Sequence, residues 1–393
     1  MTLKRGLEDP GPEQSPRTPV DDCISKHILA ASDTPRQTEE VEPPPPMPDP
    51  NADVPFQSMR VEPLSMKITT TRKKVQMVYP VFLLTDPATN EAYDFASVLS
   101  GGTMKELSGP CVALYVGPKG AVIVKTMLRV HEYQEESEYI DFVNRNMDAL
   151  TGCMVRARVA APGRRVHKDN YKLEDLRPEN YTVIIMRYGG RPMYHLRDRL
   201  RNQLPALRVT HAIFSIVKRL YKKGMAYVDM KLANVLFHHK DDMTVQLSLC
   251  DYGSIVRVGE DGAATYPPPE TPWGYDVVGN ERSVLYGMGI LLASCMTTQE
   301  EENALRYILP HERYAQLGRE FTREEGTKEL ETFQQELLKF MSANYPLVGK
   351  VMSVAWTHGA TLDQLDSAYS EAISSLTQMP TPPPCKQRRC ATS

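Results

Sequence analysis

The chain lacks the patterns that would place it in several common classes. Its seven cysteines (Cys23, Cys111, Cys153, Cys250, Cys295, Cys385 and Cys390) are odd in number and widely spaced. They form no C-x-x-C pair, so neither a zinc site nor a disulfide framework is indicated, and a reducing compartment is the simplest setting. Charge of one sign is also missing: 46 Lys and Arg stand against 49 Asp and Glu, a formal net charge of −3, so overall balance gives no reason to expect nucleic acid as a partner. The longest apolar run, near Met288 to Met296, is far too short to span a bilayer, and Met1 to Pro10 lacks the apolar centre of a signal peptide. No G-x-x-x-x-G-K-[ST] occurs, which excludes a P-loop NTPase. The expectation is a soluble intracellular protein, of cytoplasm or nucleus, with no membrane partner.

What is present is length and punctuation. The 393 residues, 44.3 kDa, suffice for about two or three structural units with a sizeable core. Residues 1–65 are rich in Pro, Asp, Glu, Ser and Thr, include the run Pro43 to Pro46, and show no sustained apolar period; they read as a disordered acidic tail. Ser15-Pro16, Thr18-Pro19 and Thr34-Pro35 fit proline-directed modification, and the proline run fits a polyproline II ligand, so the tail has candidate partners of its own; a merely solvated tail has the same composition. Residues 379–393 read as a second disordered tail.

From Val75 the texture changes. Val75 to Leu84, Tyr93 to Leu99, Cys111 to Val116 and Ala121 to Leu128 are short apolar runs of strand type, as is Met154 to Ala160. Between the second and third runs, Gly101, Gly102 and Gly109 sit in a loop where backbone amides can approach a phosphate; a plain hairpin loop has the same glycines. His131 to Leu150 has helical spacing, with Tyr139, Ile140, Val143 and Met147 as an apolar stripe behind Glu136. Tyr181 to Gly190 reads as a strand that ends at a Gly189-Gly190 turn. Val209 to Lys223 reads as an amphipathic helix stopped at Gly224. Helical spacing recurs over Glu281 to Met296, Glu301 to Leu317, Lys328 to Ser342 and Leu362 to Leu376.

The chemistry-bearing stretch is Tyr227 to Phe237. It offers a carboxylate (Asp229), an ammonium two residues on (Lys231) and an amide (Asn234), just before an apolar strand-like run. A carboxylate can accept a hydroxyl proton, an ammonium can meet a transferring phosphoryl group, and an amide oxygen can bind a hard metal ion. Asp251-Tyr252-Gly253 follows a second strand candidate and adds a further hard oxygen.

These residues resemble the catalytic machinery of eukaryotic-type protein kinases. Asp229-x-Lys231-x-x-Asn234 resembles the catalytic loop H-R-D-x-K-x-x-N, with Tyr227 and Val228 in place of His and Arg; Asp251-Tyr252-Gly253 resembles D-F-G, and Val122 to Lys125 resembles V-A-I-K. Pro268-Pro269-Glu270 is similar to A-P-E. The resemblance covers about Tyr93 to Met296. It implies an α+β, two-lobed protein-kinase-like fold: a small β-rich N-lobe over about 75–186, a hinge at 187–190 and a mostly helical C-lobe over 191–378. It implies ATP and Mg as cofactors, proteins as substrates, and a serine/threonine preference through Lys231. By the same resemblance Asp229 and Lys231 are catalytic, Asn234 and Asp251 hold metal, Lys125 with Glu136 positions phosphates, Met186 is the gatekeeper, and Tyr188 lies beside adenine. The sequence departs from the pattern at the glycine loop, at Val228, and at Val284, where an aspartate is usual. A pseudokinase acting as a nucleotide-binding or scaffold protein is the alternative reading; a kinase-fold enzyme acting on small molecules fits Lys231 and the P-P-E segment less well. Because Val228 cannot pair with a phosphate, activity is expected to need none on Ser254, Thr265 or Tyr266. The compact segment after Asp251 is similar to kinases encoded by large DNA viruses, herpesviruses included.

Overall fold

The computed structural model describes residues 48–49, 52–70, 76–101, 110–128, 130–146, 150, 152–161, 176–239, 245–271, 276–298 and 323–378. Its first lobe is a curled antiparallel sheet of β1 (Arg60–Thr70), β2 (Gln76–Thr85), β3 (Ala92–Ser100), β4 (Cys111–Gly117), β5 (Gly120–Met127), β6 (Ala157–Ala161) and β7 (Thr182–Arg187). The strands hydrogen-bond in the order β1-β2-β3-β4-β5-β7-β6. β5 lies between β4 and β7 and is apolar on both faces, as a strand buried on both sides should be. Its two-residue period sorts the faces: Val122 and Val124 fill the interior of the lobe, while Ala121 and Ile123 join the larger core that continues into the second lobe. Lys125 shares the parity of Ala121 and Ile123, and so points toward the second lobe.

One boundary moves. Residues 52–65, expected in the disordered tail, belong to the folded lobe. Val54, Phe56 and Met59 are buried in its interior, and β1 pairs with β2 from Arg60↔Thr85 to Thr70↔Gln76, with a bulge between Pro63 and Ser65. Arg158 on β6 donates to the carbonyls of Phe56 and Met59, and Arg187 on β7 donates to that of Ala52 at 3.2 Å. The composition of residues 1–65 as a whole suggested disorder; within 52–65, three well-spaced apolar side chains and two arginines that bond the backbone carbonyls overcome it.

The helix α1 (Val130–Arg145) packs on this lobe through Tyr139, Ile140 and Val143; Met147 lies outside the described residues. In the second lobe, after the two-residue strand β8 (Arg191–Pro192), α2 (Gln203–Lys222) starts at Asn202, whose side chain accepts from the Leu204 N–H, and buries Ile213, Phe214, Ile216, Val217 and Leu220. α3 (Glu281–Met296) is buried on nearly every side and begins in a capping box between Asn280 and Ser283. α4 (Arg323–Asn344), α5 (Pro346–Trp356) and α6 (Leu362–Gln378) surround them. α5 is absent from the sequence expectations because its run is apolar almost throughout and shows no clear period; the Trp356 indole instead locks it to α3 by donating to the Tyr286 carbonyl at 3.2 Å. The helix expected over Glu301 to Leu317, residues 1–47 of the first tail and all of the second tail, 379–393, lie outside the described residues.

The architecture is the two-lobed, protein-kinase-like α+β arrangement expected. Among the described residues, no helix is long and apolar enough to cross a membrane.

Candidate active site

Three distant stretches meet at one ammonium. Lys125 Nζ lies 2.8 Å from Glu136 Oε1 on α1 and 2.9 Å from Asp251 Oδ1. Glu136 is 2 % exposed, so the pair is desolvated and each partner depends on the other. Burial works against the charge on Lys125, but the two carboxylates outweigh it and raise its pKa. The same balance holds Asp251 below the usual carboxylate range: burial pushes its pKa up, while Lys125 beside it, a hydrogen bond from Ser254 and Lys231 farther off bring it down.

The catalytic-loop candidate follows α2 through Gly224 and the short strand β9 (Met225–Tyr227). β9 pairs with β12 (Ile255–Arg257), and Val228 N–H continues the ladder by donating to Ser254 O at 2.9 Å. The loop therefore hangs between the end of a buried helix and the strand after Asp251. Within it, Lys231 Nζ lies 2.5 Å from Asp229 Oδ2. Asn234 Nδ2 donates to Asp229 O at 2.9 Å, which closes the loop on itself. Then β10 (Val235–His239) and β11 (Val245–Leu249) form a hairpin that carries the chain back to Asp251, with Cys250 N–H donating to Asn234 O at 3.0 Å.

Asp251 itself sits at φ +65°, a left-handed conformation uncommon outside glycine, and turns the chain sharply so that its carboxylate faces Lys125 while Tyr252 dives into the core. The Tyr252 hydroxyl donates to Val155 O at 2.7 Å. Beside it the Tyr227 hydroxyl donates to Cys250 O at 2.6 Å. Burial raises the Tyr227 phenol well above its ordinary pKa, and Cys250, Asp251 and Asp229 nearby push the same way.

The segment after Asp251 is tied to both lobes. β13 (Asp261–Gly262) pairs with β14 (Val277–Val278), Tyr139 Oη lies 3.4 Å from Glu260 Oε2, and Arg257 lies 3.4 Å from Glu138, both contacts reaching α1. Thr265 reaches into the loop: its N–H donates to Asp229 Oδ1 at 2.8 Å and its hydroxyl accepts from Lys231 Nζ at 3.1 Å. Glu270, expected to anchor the segment, forms a forked pair with Arg282 in the first turn of α3. Val228 and Val284, at the two positions where the sequence departs from pattern, are both buried apolar residues.

The remaining nucleotide-site candidates divide. Gly101 lies at the base of its loop with φ +74°, and a Cβ there would fall 1.9 Å from Pro110 O, so only glycine lets the two ends of the loop close. Gly102 and Gly109 lie outside the described residues. Met186 is buried on β7 opposite Ile123 and Ala157. The Tyr188 ring is buried too, which leaves backbone rather than phenol for any ligand in this connection. The chain then crosses close beneath β10: Gly190 has φ +104°, and a Cβ on it would meet Phe237 O at 2.2 Å.

Ser254 and Thr265 join the candidate site, which motif spacing does not reveal. The sequence offers them only as hydroxyls after Asp251. Their places depend on contacts across 20 and 34 to 36 residues of sequence.

For a divalent ion the donor set fits one held jointly with phosphates. Among the described residues no cluster of three His, Cys, Asp or Glu side chains could hold a metal alone. Magnesium bound to nucleotide needs only one or two protein oxygens and keeps several waters. The Asp251 carboxylate, 34 % exposed, and the Asn234 amide oxygen are the groups that would supply them.

No family model matches the chain, and no curated protein matches it. Among solved structures, vaccinia related kinase 3 aligns with a TM-score of 0.48 and 12 % identity, over 75 % of this chain and 90 % of that one.

Proposed function

We propose that the chain is a protein serine/threonine kinase that transfers the γ-phosphoryl group of ATP to a protein hydroxyl. The observation that carries this reading is the convergence of Glu136, Lys125 and Asp251 on one ion cluster, buried on its Lys125–Glu136 side, with Asp229, Lys231 and Asn234 linked to its Asp251 end through Ser254. Lys125, oriented by Glu136, is placed to meet the α- and β-phosphates. Asp229 accepts the proton of the acceptor hydroxyl as the new O–P bond forms and the bond from the γ-phosphorus to the ADP oxygen breaks. Lys231 balances charge on the moving phosphoryl group. Asn234 and Asp251 would hold magnesium, which when bound neutralises phosphate charge. Catalysis is then mostly positioning and electrostatic stabilisation. Lys231, held between Asp229 and Thr265, supports the serine/threonine preference.

One observation favours a second reading, a nucleotide-binding or scaffold pseudokinase. Both Asp229 oxygens are already engaged by the protein itself, Oδ2 by Lys231 and Oδ1 by the Thr265 N–H. Incubation with labelled ATP, magnesium and generic protein acceptors separates the two. Transfer by the wild type that is lost in Asp229→Asn and Lys125→Met identifies the kinase. Nucleotide binding without transfer identifies the pseudokinase.

A further inference from the structure

Ser254, the residue after Asp251-Tyr252-Gly253, is 2 % exposed and stands where both metal-ligand candidates meet. Its Oγ donates to Asp251 Oδ2 at 3.0 Å and accepts from Asn234 Nδ2 at 3.3 Å. Its backbone is committed at the same place, with N–H donating to Asp251 O at 3.1 Å and C=O accepting from Val228 N–H at 2.9 Å. A hydroxyl has one donor and two acceptor sites, and these contacts use the donor and one acceptor.

The consequence is directional. The donor from Ser254 occupies one oxygen of Asp251 while Lys125 occupies the other, which fixes the plane of the carboxylate. On the other side, Ser254 and Asp229 O draw the NH2 end of the Asn234 amide toward the protein, so the carbonyl end must face the opposite way. One buried hydroxyl therefore sets the orientation of both hard oxygen donors. Metal ligands depend on such outer partners for geometry and basicity.

We infer that Ser254 is a positioning residue for the divalent cation, coupling Asn234 and Asp251 into a single site. The inference rests on the kinase reading above for the identity of the ion. It also removes Ser254 as a site of activating phosphorylation, because a phosphate there would lie against the Asp251 carboxylate in a space filled by protein.

The test measures Mn2+ binding directly, by the loss of free-ion paramagnetic resonance signal, with full-length protein saturated with a non-hydrolysable ATP analogue. Nucleotide binding without metal and the melting temperature are recorded alongside. Ser254→Ala is expected to weaken Mn2+ binding about tenfold or more, with metal-free nucleotide binding near wild type and a melting temperature only a few degrees lower from the partners left unpaired, and Ser254→Thr is expected to restore most of the affinity. Equal Mn2+ affinity in wild type and Ser254→Ala overturns the inference. So does a Ser254→Ala protein that loses metal-free nucleotide binding and melts early, which marks a structural role, or a Thr variant as weak as Ala, which assigns the loss to packing. Wild type that binds nucleotide but no Mn2+ overturns the kinase reading itself, and the inference falls with it.

Discussion

Tyr227 Oη lies 2.6 Å from the carbonyl oxygen of Cys250 and joins the start of the catalytic loop to the residue before Asp251. The phenol stands where the resembling loops carry histidine, and it holds two segments that the β10–β11 hairpin separates. Tyr227→Phe keeps the ring packing but leaves a carbonyl without its donor. The expected loss is about 1–3 kcal/mol in stability, the usual cost of an orphaned polar group in a mostly buried place. Denaturant titration against wild type measures it, and an unchanged midpoint would show that water replaces the phenol.

The Glu270–Arg282 pair joins the segment after Asp251 to α3. Burial pushes the Glu270 carboxyl up, but the Arg282 hydrogen bond and charge prevail and its pKa lies below its ordinary value. A depressed folded-state pKa means that the stabilisation is present above the unfolded value of 4.5 and is lost as pH falls through the folded one. Glu270→Gln should therefore be less stable than wild type at neutral pH, with the difference vanishing in acid. Glu270 is 45 % exposed, so the effect is expected to be below about 1 kcal/mol and to shrink with salt. Unfolding free energies measured across the acid range, at low and high ionic strength, check both statements.

Activity should survive removal of phosphate. Val228 carries no charge to receive one, and the segment after Asp251 is held by the β9–β12 ladder, by β13–β14 and by the contacts of Glu260 and Arg257 with α1. Protein treated with a broad phosphatase, its phosphate loss verified by mass, is expected to transfer phosphoryl groups at the untreated rate. Alanine at Ser254 or Thr265 is the wrong probe, since both hydroxyls are bonded within the site. A collapse in rate after phosphatase treatment would refute the expectation.

Phe56 is 4 % exposed within the first lobe, with the Arg156 guanidinium 5.6 Å over its ring. Phe56→Ala is expected to cost about 3–5 kcal/mol, the sum of lost transfer energy and the cavity left behind. Leu64→Ala, at a position 63 % exposed on β1, should change stability by less than about 0.5 kcal/mol. Parallel denaturant curves distinguish a lobe that ends in this segment from one that merely carries it.

How far the sequence could be read varied with the range of the contacts involved. Asp229, Lys231 and Asn234 lie within six residues, so their spacing alone sets out the loop. Lys125 and Glu136 are close enough in sequence for the strand-to-helix order to suggest a partner, although Glu132, Glu135 and Glu138 compete on composition. The paired strands from β2 to β5 announce themselves by apolar runs between turn residues. The segment 52–59 does not, because its burial depends on Arg158 and Arg187, which lie about a hundred residues or more away. Ser254 and Thr265 were legible as hydroxyls but not as site residues, since only folding brings them to Asn234, Asp251 and Lys231. The glycine loop stays at the level of its sequence, with Gly101 alone among its candidate glycines described.

The segment ahead of β1 has a consequence for how copies of the chain meet. Arg158, on the last strand of the sheet, donates to the carbonyls of Phe56 and Met59, so the segment is tied to the sheet while its apolar side chains fill the lobe's interior. A version of the protein shortened to begin at β1 would lose Val54, Phe56 and Met59 from that interior and expose the apolar side chains they cover. Such a version would present an apolar patch to other copies, and the choice of first residue would decide whether a preparation stays monodisperse.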